Sequence, residues 1–163
     1  MPRGTALSVC DCFSGSETLW GVLGHEFHVR DYLALDVKPK RGRLKLDSLR
    51  YLQNQEWEHN VIDLDAYGSP WRHYYEVLKR RRPCTVFLTI GSTGMRCQQT
   101  EGLAALGITF KVPPGLHGAV ADLVTAHTLG AFHSYGLRLL SAWEASNPGG
   151  NARYIGLRLG PAS

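Results

Sequence analysis

Apolar and polar positions divide the chain into short apolar runs separated by longer mixed segments. Apolar runs of strand length recur at 7–10, 31–36, 61–64 and 85–90. Runs of this kind, bounded by glycine, proline or acidic residues, are typical of buried strands in a parallel sheet. Strands that alternate with helical segments predict an α/β fold.

Two segments have apolar positions at helical spacing, and each predicts a buried face. The first, 71–82, places Tyr74, Val77 and Leu78 inward and ends before Pro83, because proline breaks a helix. The second is 119–134. Its predicted inner face comprises Val120, Leu123, Val124, His127 and Ala131.

The last part of the chain predicts a pair of antiparallel strands. Segments 137–144 and 153–159 are joined by Asn-Pro-Gly-Gly-Asn at 147–151, a typical hairpin signal.

Segment 38–43 is too rich in proline, glycine and charge for a helix. We therefore expect a trimmed fold, in which a basic loop takes the place of a helix between the second and third strands. The third strand is expected at 44–47.

Length and composition predict one globular domain spanning 1–163. The 163 residues are 44% hydrophobic and 20% charged, as in ordinary globular proteins. No apolar run approaches the roughly 20 residues that cross a bilayer, and polar residues interrupt the N-terminus where a secretory signal would be apolar. These features predict a cytoplasmic protein without a membrane partner. The four cysteines fit no zinc framework, so no metal is predicted.

Basic residues are concentrated in two windows, although the net charge is only +4. Lys38, Lys40, Arg41, Arg43 and Lys45 form the first, and 79–82 is entirely basic. Clustered cations favour a phosphate backbone as partner. The alternative for the second window is that it complements a helix C-terminus.

The segment 6–24 predicts a strand, a glycine turn and a helix. Asp11 ends the strand, and small residues follow at Ser14, Gly15 and Ser16. Backbone N–H groups at such a helix start are suited to an anionic or carboxylate-bearing ligand. The carboxylate of Asp11 is suited to an amine of the same ligand.

Two more acidic residues follow the next strands. Asp36 comes 25 residues after Asp11, the spacing of one βαβ unit, and an acid there can accept hydrogen bonds from both hydroxyls of a ribose. The alternative is that Asp36 caps a loop. Asp47, which ends the third strand, precedes Ser48 and also has the position of a helix N-cap.

The sequence Asp11-Cys12-Phe13-Ser14-Gly15-Ser16 resembles the first motif of S-adenosylmethionine (SAM)-dependent methyltransferases, often Asp-x-Phe-(Ala/Ser)-Gly-x-Gly. Here Glu17 replaces the last glycine. The resemblance implies SAM as cofactor and a Rossmann-like three-layer sandwich whose seven-stranded, mostly parallel sheet ends in an antiparallel hairpin. The cofactor-binding residues it implies are Asp11, Phe13, Ser14, Gly15, Ser16, Asp36, Val37, Asp47 and Ser48.

A second motif, Ile-Asp-Leu-Asp-Ala-Tyr-Gly-Ser-Pro at 62–70, is similar to the Asp-Pro-Phe-Gly-Ser-Pro motif of the tRNA guanine-N2 dimethyltransferase family, with Ala66 in place of proline. The resemblance implies that Asp65 and Tyr67 are catalytic: the carboxylate accepts N–H bonds of an exocyclic base amine, and the ring stacks on the base. The alternative is that Asp65 binds turn amides and Tyr67 packs in the core. The predicted substrate-binding residues are Ala66, Gly68, Ser69, Pro70, Lys40, Arg41, Arg80 and Arg81.

The sequence thus predicts a SAM-dependent N-methyltransferase that acts on an exocyclic base amine, in RNA such as tRNA rather than DNA. No separate substrate-recognition domain is expected, so a partner chain is one possible source of RNA contacts. Two alternatives stay open. One is a catalytically degenerate methyltransferase-fold binding module, and the other is a methyltransferase for a small-molecule or protein substrate.

Overall fold

The computed structural model describes residues 4–15, 19–38, 44–66, 69–91, 117–146, 148 and 152–162. The strands are β1 Leu7–Asp11, β2 Val29–Asp36, β3 Leu44–Lys45, β4 Val61–Leu64, β5 Cys84–Gly91, β6 Leu137–Ser146 and β7 Ala152–Pro161. The helices are α1 Leu19–Leu23, α2 Ser48–Asn54, α3 Trp71–Lys79, α4 His117–Gly130 and a 3-10 helix at Ala131–Tyr135. In this described part, no helix is long and apolar enough to cross a membrane.

The strands form one mixed sheet in the order β3-β2-β1-β4-β5-β7-β6. Neighbours from β3 to β5 are parallel, whereas β7 is antiparallel to both β5 and β6. The predicted α/β class, parallel centre and C-terminal hairpin are therefore confirmed. Within the described ranges, six strands have four or more residues, and a count of seven depends on the two-residue edge segment β3.

The main core lies on the face of the sheet that α2 and α3 cover. Alternate side chains of a strand point to opposite faces, and Ile62, Leu64, Val86 and Leu88 point to this one. They pack with residues such as Tyr74 of α3 and are at most 1% exposed. The predicted inward face of α3, with Val77 and Leu78, is confirmed.

The opposite face carries a smaller cluster under α1. Leu7, Val9 and Val61 pack there against Trp20, and Phe87 of β5 lies at its margin. Helices therefore lie on both faces of the sheet, and Trp20 together with the partly buried Leu23 packs the short α1 against it.

The predicted inner face of 119–134 is wrong in part. Leu123 is 69% exposed and His127 is also exposed, whereas Thr125 and Thr128 are buried. Apolar residues occur all around this helix, so their spacing does not define one face. Helix α4 also ends at Gly130, and a 3-10 turn completes the predicted segment.

Candidate functional site at the sheet edge

The candidate site lies where the order of the strands reverses. The chain runs from β1 outward through β2 to β3 and then returns to β4 on the other side of β1. Ligands of open α/β sheets bind at the carboxyl ends of the strands beside such a switch point. A cavity of about 320 Å³ opens there, lined by Asp11, Asp63, Asp65, Trp20 and Phe87 among others. A cavity of this size is at the lower end of the range of small-molecule sites.

The turn after β1 is built around two carboxylates. Asp11 is buried, and its Oδ1 accepts the Phe13 backbone N–H at 3.2 Å while its Oδ2 accepts the Tyr32 hydroxyl at 2.8 Å. Gly15 has a φ of 49°, a left-handed conformation that favours glycine. Its N–H donates to Asp36 Oδ2 at 3.1 Å. The structure thus brings Asp11, Phe13, Gly15 and Asp36 together.

Asp36 also orders the chain beyond β2. Its Oδ1 accepts the Lys38 backbone N–H at 2.7 Å, and its backbone carbonyl accepts the Leu46 N–H at 3.1 Å. The predicted alternative of a loop-capping role is therefore confirmed. A carboxylate offers about four acceptor positions, and the two bonds from Gly15 and Lys38 leave positions for the hydroxyls of a ribose. Val37 is 56% exposed at the same edge.

The predicted cofactor-binding residues Asp47 and Ser48 lie at the start of α2, Asp47 as its N-cap and Ser48 as its first residue. Asp47 Oδ1 accepts the Leu49 and Arg50 backbone N–H groups at 2.9 and 3.3 Å, which confirms the N-cap. The Ser48 hydroxyl lies 3.1 Å from His73 Nε2 of α3.

His73 connects α2 and α3 to the turn after β1. The edge of its ring packs against Phe13 with centroids 4.6 Å apart, and its Nε2 faces the Ser48 hydroxyl. Burial lowers the pKa of His73 to about 4. The imidazole is therefore neutral at pH 7.

Asp63 lies at this site and is not among the residues that the sequence predicts for it. It pairs across the sheet with Asp11, is 8% exposed, and its Oδ2 accepts the Trp20 indole N–H at 2.6 Å. Burial raises the pKa of Asp63 to about 7; the Trp20 hydrogen bond opposes this shift, and Asp11 and Asp65 add to it. An acid inside the otherwise apolar run 61–64 was the signal that could have identified it.

Asp65 lies just beyond the end of β4, where it is exposed and lines the cavity. Ala66 and Pro70 are buried, and the Ser69 hydroxyl is 3.5 Å from the Trp71 backbone N–H at the start of α3. Helix α3 begins at Trp71, with Pro70 as its cap, which confirms the start of the predicted segment 71–82. Several predicted site residues lie outside the described residues: Ser16, Lys40, Arg41, Tyr67 and Gly68.

Arg80 and Arg81 are not brought to this site. They precede β5, whose Thr85 pairs with Val61 at the start of β4, whereas Asp65 follows the other end of β4. The two ends are roughly 13 Å apart at about 3.3 Å per residue. Neither arginine therefore lies at the cavity, and the predicted contact of both with an RNA substrate stays a prediction.

Arg80 instead caps the C-terminus of α2. Its guanidinium donates to the carbonyls of Leu52, Gln53 and Gln55 at 2.8, 3.2 and 2.7 Å. A cation that complements a helix C-terminus was the alternative to a nucleic-acid surface, and Arg80 has that role on the neighbouring helix.

Helix α1 has only five residues. The unpaired N–H groups of a helix are those of its first turn, and residues 16–18, directly before α1, lie outside the described residues. The binding of a ligand carboxylate at this N-terminus therefore stays a prediction.

Comparison with known proteins identifies related folds. No protein-family model and no curated protein sequence matches this chain. Trm1 from Pyrococcus horikoshii, solved with SAM, is similar over 96% of this chain with a TM-score of 0.60 and 15% identity. A candidate hemolysin from Streptococcus thermophilus is similar over 98% (TM-score 0.57, 12% identity). Magnesium protoporphyrin IX methyltransferase (ChlM) from Synechocystis PCC 6803, solved with bound SAH (S-adenosylhomocysteine), is similar over 94% (TM-score 0.53, 12% identity).

These likenesses show that the chain shares the α/β fold of these three proteins, two of which were solved with SAM or SAH. Identities of 12–15% show the fold alone. The chain spans 51% of the length of Trm1, 62% of the hemolysin and 74% of ChlM.

Proposed function

We propose that this protein is a SAM-dependent methyltransferase that methylates an exocyclic amine of a nucleic-acid base. The observation that carries the proposal is the convergence of Asp11, Asp36, Asp63 and Asp65 on one sheet edge beside a cavity. These four carboxyl groups suit SAM, which has an ammonium, a sulfonium and a ribose diol. Two proteins of this fold were solved with SAM or SAH.

The residues of the turn and of β2 would hold the cofactor. Asp11 lies at the cavity and can accept a hydrogen bond from the ammonium of SAM. Asp36 is fixed by the Gly15 and Lys38 N–H groups and can accept hydrogen bonds from the ribose hydroxyls. Val37, Asp47 and Ser48 would complete the cofactor site, as the resemblance of the first motif implies. When bound, SAM supplies an electrophilic methyl group on a sulfonium.

Asp65 would orient the amine that is methylated. Its exposed carboxylate lines the cavity, so it can accept an N–H of the amine and take the proton that the amine loses. Tyr67 would stack on the base and fix its plane. The enzyme would act mainly by positioning, and a base within a duplex would have to leave its stack.

RNA is the substrate we favour, because the 62–70 motif is similar to that of a tRNA-methylating family. The basic segment 38–43 follows Asp36 closely along the chain, at the end of β2. The 79–82 cluster instead lies near the N-terminal ends of β4 and β5. We therefore expect Lys40→Glu and Arg41→Glu, each made alone, to weaken RNA binding. Arg81→Glu is the matched control, and an equal loss with this variant would contradict the assignment of the surface.

The direct test is transfer of radiolabelled methyl groups from SAM to bulk RNA and to bulk DNA. We expect labelling of RNA by the wild type and at least about a 100-fold loss with Asp65→Ala, the usual scale for an acid–base group. Asp31→Ala is the control, because Asp31 is exposed on β2 and paired with Arg30. Equal rates for wild type and Asp65→Ala would contradict the role of Asp65.

A degenerate binding module is the second candidate, favoured by Glu17 and Ala66, which replace a glycine and a proline of the two motifs. A side chain at Glu17 adds bulk and negative charge beside the expected ligand carboxylate. If the wild type does not bind SAM and Glu17→Gly does, the module is degenerate. Binding and transfer by the wild type would exclude this candidate.

A further inference from the structure

The buried Asp63 has no role in the positioning chemistry described above, yet it lies on the cavity. Its register partner Asp11 is on the neighbouring strand, about 4.8 Å away by ordinary strand spacing. The Trp20 indole N–H occupies Oδ2, which leaves acceptor capacity on the carboxyl group. The described residues that line the cavity include no lysine or arginine.

A carboxyl group in this position needs a positive partner to be ionised. Isolated buried charge is unfavourable, and nearby carboxylates of the same sign make it more so. The ionisable groups that line the same cavity are Asp11 from β1, Asp65 after β4 and Tyr154 from β7. Helix α1 and strand β5 contribute Trp20 and Phe87, which carry no charge.

We propose that Asp63 is a cofactor-binding residue that neutralises a positive group of the bound cofactor and releases its proton to solvent when the cofactor binds. The inference rests on the proposed function, because it takes SAM as the ligand. The carboxyl O–H bond breaks, the proton goes to water, and the cation of the ligand replaces it as the partner of the carboxylate. That cation is either the ammonium, which SAH shares, or the sulfonium, which SAH lacks.

The burial that holds Asp63 protonated supports this linkage. With a pKa of about 7, Asp63 is about 90% protonated at pH 6 and about 10% protonated at pH 8. Binding that requires the ionised form is then about tenfold weaker at pH 6 than at pH 8. Asp63→Asn keeps an acceptor for Trp20 but cannot ionise.

The test is calorimetric titration of the full chain with SAM and with SAH at pH 6, 7 and 8, in two buffers that differ in protonation enthalpy. The readout is the difference between wild type and Asp63→Asn in protons released and in affinity. We expect about 0.9 proton released by Asp63 at pH 6, and an affinity that rises with pH only in the wild type. Asp31→Asn, outside the cavity, should behave as the wild type.

Each outcome decides the proposal. If Asp63 releases its proton on binding of both SAM and SAH, its partner is the ammonium. If it does so on binding of SAM alone, its partner is the sulfonium. Binding with the same proton release in wild type and Asp63→Asn overturns the role of Asp63 and leaves the proposed function intact. No binding of either ligand to the folded wild type at about millimolar concentration overturns both.

Trp20→Phe gives a second variant that retains the carboxyl group. The Trp20 hydrogen bond favours the ionised form of Asp63. In Trp20→Phe, the rise of cofactor affinity with pH should therefore have its midpoint at a higher pH than in the wild type. An unchanged midpoint would contradict the proposed coupling. Because proton release by the wild type is itself a readout, the proposal stays testable even if one variant does not fold.

Discussion

Two glycines have left-handed backbone conformations in different surroundings. Gly15 has a φ of 49° in the turn after β1, and Gly136 has a φ of 71° at the end of the 3-10 helix. An added Cβ meets only ordinary contact at Gly15, 3.7 Å from the Phe13 carbonyl, and nothing within 4 Å at Gly136. Substitution at either position is therefore opposed by backbone conformation rather than by a clash.

We expect Gly15→Ala and Gly136→Ala to lower the free energy of unfolding by a similar amount, about 1 kcal/mol each. Only Gly15→Ala should also weaken SAM binding, because the Gly15 N–H fixes Asp36. Chemical denaturation and titration calorimetry check the two effects. Equal affinities of both variants for SAM would contradict the placement of the cofactor at this turn.

Asp63 should make the ligand-free protein less stable as the pH rises. Its folded pKa of about 7 is above the ordinary value of 3.8, so the folded state binds more protons between these values and stability falls with pH through that window. The free energy of unfolding of Asp63→Asn, relative to that of the wild type, should therefore rise by roughly 2–3 kcal/mol between pH 5 and pH 8. Urea denaturation of both proteins at the two pH values measures this change. The same difference between variant and wild type at pH 5 and pH 8 would contradict a buried, protonated Asp63.

At the scale of elements, Arg80 joins α3 to the end of α2. Its three hydrogen bonds satisfy carbonyls that the end of a helix leaves unpaired. We expect Arg80→Met to lower the free energy of unfolding by roughly 1–3 kcal/mol. Exposed Arg81 is the control, and Arg81→Met should change stability by less than about 0.5 kcal/mol. Equal effects in denaturation curves would contradict the capping role.

His73 joins α3 to the turn and to α2, and it should make the protein sensitive to acid. Its folded pKa of about 4 is below the ordinary 6.5. The neutral form therefore stabilises the fold above pH 6.5, and this contribution is lost as the pH falls towards 4.

We expect His73→Gln to reduce the loss of stability between pH 7 and pH 4.5 by roughly 2 kcal/mol. His127→Gln, at an exposed position of α4, should leave that loss unchanged. Thermal denaturation at the two pH values tests both variants. The same acid sensitivity in His73→Gln as in wild type would contradict the buried neutral imidazole.

For the whole molecule, the local patterns predicted most of the sheet. The run 61–64 is the strand β4 itself, and the Asn-Pro-Gly-Gly-Asn signal placed the antiparallel pair β6 and β7 correctly. The inner face of α4 could not be predicted, because threonines rather than its leucine and histidine are buried. Local spacing does not determine which neighbour a helix meets.

Parts of the site were predictable and parts were not. Asp11, Asp36 and Asp47 were identifiable because each follows a strand. The distance between Arg80 and Asp65 was not predictable, because the clustering of charges along the chain does not determine at which end of the strands a loop lies. Asp63 was overlooked because its neighbours in the run are apolar, and its proximity to Trp20 arises only when α1 folds onto the sheet.

The most direct test of the account is calorimetric titration of SAM into the purified protein and its Asp36→Asn variant. We predict saturable binding at one site, with affinity at least about tenfold lower in Asp36→Asn, where a charge-assisted bond to ribose is weakened. Asp31→Asn, on the same strand but paired with Arg30, should bind as the wild type does. No binding by the folded wild type at about millimolar SAM, or equal binding by Asp36→Asn, would contradict a cofactor pocket at this sheet edge.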